Sequence, residues 1–189
     1  MTTAPTPAPH TAAGDIAQPT GYRRIGPGRF RENVGLGYDE LTVGLVIEHR
    51  PGRTVTDTDN LLGTMLTGNV APIHTDAHYA AQTRHGRIVV CASVTLGLVA
   101  GMTVRSTSGL TTANLGLDNA RFPHPVYVGD TLHAESEVLT RRHSASRPGE
   151  GLLTCAVRAL NQHDELVLQF ERTFLVPLDP TAVRNVHNY

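Results

Sequence analysis

The sequence predicts a single α+β domain in which an antiparallel sheet wraps around one long buried helix. Apolar residues recur at helical spacing in the first half of the chain and alternate with polar residues in the second half. Between the two halves, residues 88–102 are apolar on nearly all faces, so this helix needs other elements around it. A length of 189 residues suits one domain with tails, and helices followed by strands favour α+β.

The two ends of the chain differ from its middle in composition. Residues 1–28 are rich in Pro, Thr and Ala and offer little apolar surface to bury, so we expect a disordered arm there. We predict that the globular domain spans residues 38–178. Residues 179–189 follow a proline-containing stretch and are expected to form a tail that trails off the domain.

The first elements of the domain have local signals. Residues 45–55 are predicted to be extended, with an irregularity at the Pro51-Gly52 pair. Thr56 and Asp59 resemble a capping box, which predicts a helix that starts there. Gly68 is placed to end it. The apolar residues of this helix that recur at helical spacing are Leu61, Leu62, Met65 and Leu66.

The segment up to the buried helix is predicted to be short and polar. Residues 69–73 are expected to form a loop, and Asp76 is a good N-cap for a second helix that spans residues 77–84. The buried helix over residues 88–102 follows.

Strands dominate the rest of the chain. We expect hairpin turns at residues 147–149 and 161–164, where turn-forming residues cluster. The alternating apolar sets are Leu132, Ala134, Ser136 and Val138, then Cys155, Val157 and Ala159, then Leu166, Leu168, Phe170 and Phe174.

The composition excludes several function classes. The 16 basic and 17 acidic residues nearly cancel, so no positive excess is available for a nucleic acid partner. All basic residues are Arg, which rules out Schiff-base chemistry on a lysine. Cys91 and Cys155 form no paired motif and are expected to be buried small residues in a reduced cytoplasm. No apolar stretch is long enough to predict a membrane span or a secretory signal.

The segment Thr67–Asp76 carries the most chemical information. It lies between two predicted helices, where side chains can converge on a pocket. Pro72 restricts the backbone just before His74, whose imidazole can relay a proton at neutral pH. Asn69 can orient a water molecule or a carbonyl group. The alternative is a helix connector with a solvated histidine.

This segment resembles the hydratase motif T-G-D-x-N-P-x-H-x-D of the MaoC-like and (R)-specific enoyl-CoA hydratases. Residues 122–132 resemble the F-x-x-P-V-x-x-G-D-T-L turn and strand of the same family, and the apolar helix lies between the two motifs as the family places it. The resemblance covers residues 38–178. It implies a hot-dog fold and a catalytic role for His74.

The chain departs from the family motif at two positions. Asn69 stands where the family has its catalytic Asp, and Ala71 stands where it has Asn. The resemblance therefore implies that His74 does the acid/base work while Asn69 positions water or substrate. The chain resembles most closely an actinobacterial group related to mesaconyl-CoA hydratase (β-methylmalyl-CoA dehydratase), which implies a branched or dicarboxylic acyl-CoA substrate.

The family also uses a backbone N–H at the start of the central helix as an oxyanion hole. The corresponding pair here is Cys91-Ala92, so the resemblance assigns this role to the Ala92 N–H, with Ser93 able to add a hydroxyl. The alternative for all three is ordinary helix packing. Arg87, just before the helix, could meet a CoA phosphate or a substrate carboxylate, or be a solvated surface residue.

We therefore expect a cytoplasmic lyase that hydrates a 2-enoyl thioester or dehydrates the 3-hydroxy form. A hot-dog thioesterase and a non-catalytic partner subunit are the alternatives. We expect the substrate to be an acyl-CoA or acyl-carrier thioester. We expect no cofactor. We expect the chain to form a homodimer or a higher even oligomer. The string His74-x-Asp76-x-His78 is not expected to bind metal, because Asp76 is better explained as a helix cap.

Overall fold

The computed structural model describes residues 16–186, which fall into two units that divide between residues 33 and 34. In the first unit, Tyr22–Gly26 (β1) and Arg29–Glu32 (β2) pair as an antiparallel hairpin. Gly28 lies in the turn with a φ of 61°, a left-handed conformation that glycine adopts without strain. Residues 22–28 of the arm predicted to be disordered over residues 1–28 are part of this hairpin, and residues 1–15 lie outside the described residues.

In the second unit, five strands form one antiparallel sheet with the strand order β3-β5-β6-β7-β4. This arrangement confirms the predicted α+β class. The elements in chain order are β3 (Val46–Thr54), α1 (Asp57–Thr67), α2 (Pro72–Thr75), α3 (Ala77–Ala81), α4 (Ala92–Met102), a π-helical turn (Val104–Ser108), β4 (Ala113–Arg121), β5 (Thr131–His143), β6 (Glu150–Leu160), β7 (Leu166–Pro177) and α5 (Pro180–Val186). None of the helices within residues 16–186 has the length and apolar character needed to cross a membrane.

The core lies between α4 and the sheet. Alternate residues of β5 and β6 are buried, as the period-two pattern predicts. One cluster of buried apolar residues joins the helix to the sheet. Its members include Val94 and Val99 of α4 together with Leu132, Ala134, Val157, Ala159, Leu168 and Phe170. A second cluster, with Leu41, Leu153 and Phe174, fills the other end of the sheet. Both cysteines are buried and unpaired, and burial raises the pKa of the Cys155 thiol to about 12.

The local signals around α1 are confirmed. The Thr56 hydroxyl accepts a hydrogen bond from the Asp59 N–H at 3.2 Å, and the Asp59 carboxylate accepts one from the Thr56 N–H at 2.8 Å. These hydrogen bonds with Thr56, ahead of a smaller opposing effect of burial, hold the pKa of Asp59 below its usual value. Gly68 ends the helix with a φ of 65°. The ladder between β3 and β5 shifts register between His49 and Arg53, on either side of the predicted irregularity.

The buried side of α1 carries polar residues, which the spacing of its apolar residues does not predict. Asn60 and Thr64 are buried against α4, because Gly63 lets the two helices approach so closely that a side chain there would collide with Val94. The apolar residues that indicate the helix in the sequence are instead exposed, namely Leu61, Leu62, Met65 and Leu66.

The segments on either side of α3 differ from the sequence prediction. Part of the predicted loop over residues 69–73 belongs to α2, which starts at Pro72, because proline fits the first position of a helix. The buried helix begins at Ala92 and not at residue 88, since residues 88–91 are extended and the Val90 N–H bonds to the Val126 carbonyl at 2.8 Å. One side of α4 is exposed at Gly97 and Gly101, so the helix is only partly enclosed.

The described part of the predicted tail at residues 179–189 is mostly helical, and residues 187–189 lie outside the described residues. Residues 180–186 form α5, and the Arg184 guanidinium donates a hydrogen bond to the Gly35 carbonyl at 2.7 Å. Pro180 starts the helix and lies close to Gly37, where an added Cβ would come within 2.9 Å of its ring. The chain therefore continues as a helix against this part of the domain.

Candidate active site

His74 is held in a defined orientation at the end of α2. Its side chain is half-buried, and its Nδ1 lies 2.7 Å from the Val89 carbonyl oxygen. A carbonyl can only accept, so Nδ1 carries the proton and donates it to this bond. The neutral ring then has its lone pair on Nε2, which makes that atom the base available for proton transfer.

Asn60 ties His74 to the start of α4. Its side-chain Nδ2 donates to the His74 carbonyl at 2.9 Å, and its Oδ1 accepts from the Cys91 N–H at 3.0 Å. Asn60 is 5% exposed and Cys91 is 2% exposed, so these two bonds are largely shielded from water. One amide therefore fixes the position of the His74 backbone relative to the helix end that carries Ala92.

Asn69, Cys91 and Ser93 form a second group of hydrogen-bonded side chains. The Asn69 Nδ2 donates to the Cys91 sulfur at 3.1 Å, and the Ser93 hydroxyl lies 3.1 Å from the same atom. Burial alone raises the pKa of the Cys91 thiol, but hydrogen bonds from Ser93, Asn69 and Val94 outweigh it, so the pKa lies below its usual value. The Asn69 Oδ1 accepts from the Ala71 N–H at 3.1 Å.

Ala92 and His74 line one cleft of about 260 Å³. As the first residue of α4, Ala92 has an N–H with no acceptor within the helix, and the helix dipole favours negative charge at this end. The other lining residues are apolar or basic except for the neutral hydroxyl residue Thr95, and the lining residues include no carboxylate. These other residues are Arg84, His85, Val89, Val90, Thr95, Phe122, Pro123, His124, Pro125 and Val126.

The structure places only some of the predicted site residues on this cleft. Ala92 shares it with His74, whereas Asn69 does not line it and its amide donates to the Cys91 sulfur. Arg87 lies in a neighbouring cleft of about 460 Å³, with its guanidinium 3.8 Å from the centre of the Tyr127 ring. The two clefts share His124 and Pro125.

The His74-x-Asp76-x-His78 string behaves as a helix start. The Asp76 carboxylate accepts a hydrogen bond from the Tyr79 N–H at 2.9 Å and so caps α3, while His78 is exposed on that helix. Within residues 16–186, no group of three His, Cys, Asp or Glu side chains is placed to hold a metal ion.

Sequence reasoning missed Asn60. The signal that could have found it is its spacing: Asn60 and Thr64 stand four residues apart and so share one helix face. Both follow a recognisable capping box, which fixes the phase of the helix. Two polar residues on one face of a helix can anchor a following loop that contains candidate catalytic residues.

A family model and several known proteins are similar to this chain. A family model described as "MaoC like domain" matches residues 40–157. The β-methylmalyl-CoA dehydratase of Chloroflexus aurantiacus is 31% identical over 154 residues, which cover 80% of this chain and 43% of that protein. The mesaconyl-CoA hydratase of Cereibacter sphaeroides is 30% identical over 153 residues, which cover 81% of this chain and 44% of that protein.

Among solved structures, a protein of Mycobacterium tuberculosis with a double hotdog fold superposes with a TM-score of 0.71 at 26% identity. The match covers 77% of this chain and 45% of that one. This chain thus spans less than half the length of both curated relatives and of the mycobacterial protein.

Proposed function

The chain belongs to the MaoC-like domain family, and we propose that it is a hydro-lyase that adds water to a 2-enoyl thioester or removes it from the 3-hydroxyacyl form. The observation that carries the proposal is the shared cleft. In the neutral His74 ring, whose Nδ1–H donates to the Val89 carbonyl, Nε2 carries the lone pair, and the same cleft is lined by Ala92, whose N–H has no acceptor within α4. A base and an oxyanion donor are the two groups that this addition needs.

In the proposed mechanism, the thioester carbonyl oxygen accepts a hydrogen bond from the Ala92 N–H. His74 Nε2 takes a proton from water as the water oxygen bonds to C3, and the electron pair of the double bond moves toward the carbonyl oxygen as an enolate. The imidazolium then gives its proton to C2, which completes the 3-hydroxyacyl thioester. Only a proton moves between enzyme and substrate, so the step needs no cofactor.

Asn69 has a supporting role in this proposal. An amide cannot take a proton from water, so it contributes orientation only. Asn69 does not line the cleft with His74 and Ala92; its amide holds the Cys91 sulfur and the Ala71 N–H, and so it positions the start of α4 and the loop before His74. Cys91 and Ser93 complete this group around the first turn of α4.

For the substrate, we propose a branched or dicarboxylic acyl-CoA. The two curated relatives are named for mesaconyl-CoA and β-methylmalyl-CoA, and both are about 30% identical to this chain. The basic residues and the absence of a carboxylate in the wall of the His74 cleft are compatible with a substrate that carries negative charge. A cytoplasmic location, expected from the two unpaired cysteines, is part of the same proposal.

We also propose a homodimer or a higher even oligomer. The exposed apolar face of α1 is large for a surface in water, with Leu66 86% and Met65 69% exposed. A second copy of the chain would also supply the length that the longer relatives have. Sedimentation should show a species of at least twice 20.3 kDa, and Leu66→Asp should shift it toward the monomer. A wild-type monomer at micromolar concentration would contradict this.

The test of the proposed reaction is a spectroscopic assay with crotonyl-CoA and mesaconyl-CoA. We expect loss of enoyl-thioester absorbance without release of free thiol. His74→Ala should lower turnover by roughly 100- to 10,000-fold, the usual contribution of a positioned acid/base group. The matched control is His78→Ala, since His78 is exposed on α3, and it should leave turnover unchanged.

Two outcomes of this assay would favour other functions. Release of thiol in step with substrate loss would indicate a thioesterase. Turnover only after addition of a second protein would indicate a partner subunit. Full activity in His74→Ala would exclude the proposed mechanism.

A further inference from the structure

Four side chains beside the His74 cleft form one connected array. Arg84 Nε lies 3.4 Å from His85 Nε2, and His85 Nδ1 lies 3.0 Å from the Tyr127 hydroxyl oxygen. Arg84 can only donate, so His85 accepts at Nε2 and donates from Nδ1. The Arg87 guanidinium stacks on the other side of the array, over the Tyr127 ring. His85 and Tyr127 thus limit where the two guanidinium groups can lie.

The two arginines have no acidic partner. Among the ion pairs of the described residues, none involves Arg84 or Arg87. A guanidinium stays protonated at all physiological pH values, and it binds carboxylates and phosphates through its planar fork of donors. The array therefore presents positive charge that an anionic ligand can neutralise.

The two arginines lie in different clefts, so they are suited to different anionic groups of an acyl-CoA. Arg84 lines the cleft that contains His74 and Ala92, whereas Arg87 lines the neighbouring cleft together with Asp130 and Glu165. An acid group on the acyl part lies a few bonds from the reacting carbons. The phosphates of CoA are separated from the thioester by the long pantetheine arm. The positive charge of Arg84 in the His74 cleft is therefore better placed to bind a carboxylate of the acyl group than a phosphate of CoA.

We propose that Arg84, held by His85 and Tyr127, is the residue that selects acyl thioesters bearing a carboxylate on the acyl group. This inference rests on the proposed function and names the substrate class of the same cleft. Apolar neighbours such as Val126 and Pro123 line the remaining wall and accommodate the carbon chain.

The test compares two substrates in one variant. In Arg84→Gln, the ratio of kcat/KM for mesaconyl-CoA to kcat/KM for crotonyl-CoA should fall about 10- to 100-fold, the effect of losing a hydrogen bond to a charged group. Arg84→Lys should recover part of the ratio, because it keeps the charge but loses the fork. The matched control is Arg142→Gln on the exposed end of β5, which should leave the ratio unchanged.

Pantetheine thioesters of the same two acids distinguish the acyl carboxylate from the CoA phosphates. If Arg84 binds a phosphate, Arg84→Gln will lower kcat/KM for both CoA thioesters equally and will leave the pantetheine thioesters unaffected. That result would overturn the proposal. A loss confined to mesaconyl thioesters of either carrier would support it.

A binding measurement decides the question without turnover. Glutaryl-CoA and butyryl-CoA cannot be hydrated, so calorimetric titration reports recognition even if the proposed hydratase activity is absent. We expect the wild type to bind glutaryl-CoA more tightly, with the preference lost in Arg84→Gln. Equal affinity of the wild type for both would overturn the assignment of Arg84.

Discussion

Replacement of Asn60 tests whether this buried amide anchors the active-site loop. Asn60→Leu keeps the branching of the side chain and removes both hydrogen bonds, to the Cys91 N–H and to the His74 carbonyl. Cys91 is 2% exposed, so its N–H is left without an acceptor and without water. A buried donor in this state costs about 1–3 kcal/mol.

The second lost bond adds less. His74 is half-buried, so water can reach its carbonyl and replace the lost donor in part, at a net cost of about 0.5–1.5 kcal/mol. The free energy of unfolding should therefore fall by about 1.5–4.5 kcal/mol, which is less than the ~5–15 kcal/mol of a typical folded domain. The variant should stay folded.

The assay is urea denaturation followed by far-ultraviolet circular dichroism, because the chain has no Trp for fluorescence. The control is Thr58→Ala, an exposed position on the same helix, which should change stability by less than about 0.5 kcal/mol. Asn60→Asp separates the two bonds, since a carboxylate can still accept from the Cys91 N–H but cannot donate to the His74 carbonyl. Because the new carboxylate is buried and faces the His74 carbonyl oxygen, we expect Asn60→Asp to lose stability as well as turnover, even though the Cys91 N–H keeps its acceptor. Wild-type stability and turnover in Asn60→Leu would refute the anchoring role.

Three further predictions concern other parts of the chain. His49 is buried between Ser106 and Ser136, and burial, then the charge of Arg50, lower its pKa below 6.5 against an opposing effect of Glu135. As the pH falls, His49 is therefore protonated in the unfolded chain before it is protonated in the folded chain. The stability that neutral His49 contributes is complete above pH 6.5 and is lost as the pH falls through the folded pKa. His49→Gln should flatten this part of the plot of unfolding free energy against pH. Removal of residues 1–33 should leave the melting temperature of the remaining chain unchanged, because both core clusters lie within residues 36–178; a large decrease would contradict it. Asn69→Asp should raise the pKa of the Cys91 thiol, measured by its rate of alkylation against pH, because a carboxylate repels the thiolate and cannot donate to it.

The parts of the fold that were predictable are those with local physical signals. The capping box at Thr56 and the left-handed end at Gly68 depend on a few neighbouring residues, and both are found where the sequence places them. The alternation in β5 and β6 follows from a sheet with one buried face. Such signals need no knowledge of what lies across the core.

The parts that were missed depend on distant residues. The strand β4 contains Gly116 and exposes Leu115 and Leu117, so its sequence lacks the alternation of a half-buried strand; its pairing with β7 defines it. Asn60 is buried only because Gly63 admits α4 at close range. In both cases a tertiary contact overrides the local pattern.

The candidate site shows the same limit at the level of single residues. Comparison with the hydratase motif considers each position separately, so Asn69 is seen only as the replacement of a carboxylate. In the folded chain, Asn69 and Cys91 are hydrogen-bond partners, and the amide supplies the donor that a thiol with a lowered pKa requires. A carboxylate at residue 69 could not donate to that sulfur and would disfavour its thiolate form. Asn69 and Cys91 are therefore physically coupled, and the function of either residue has to be tested with the other in place or replaced together with it.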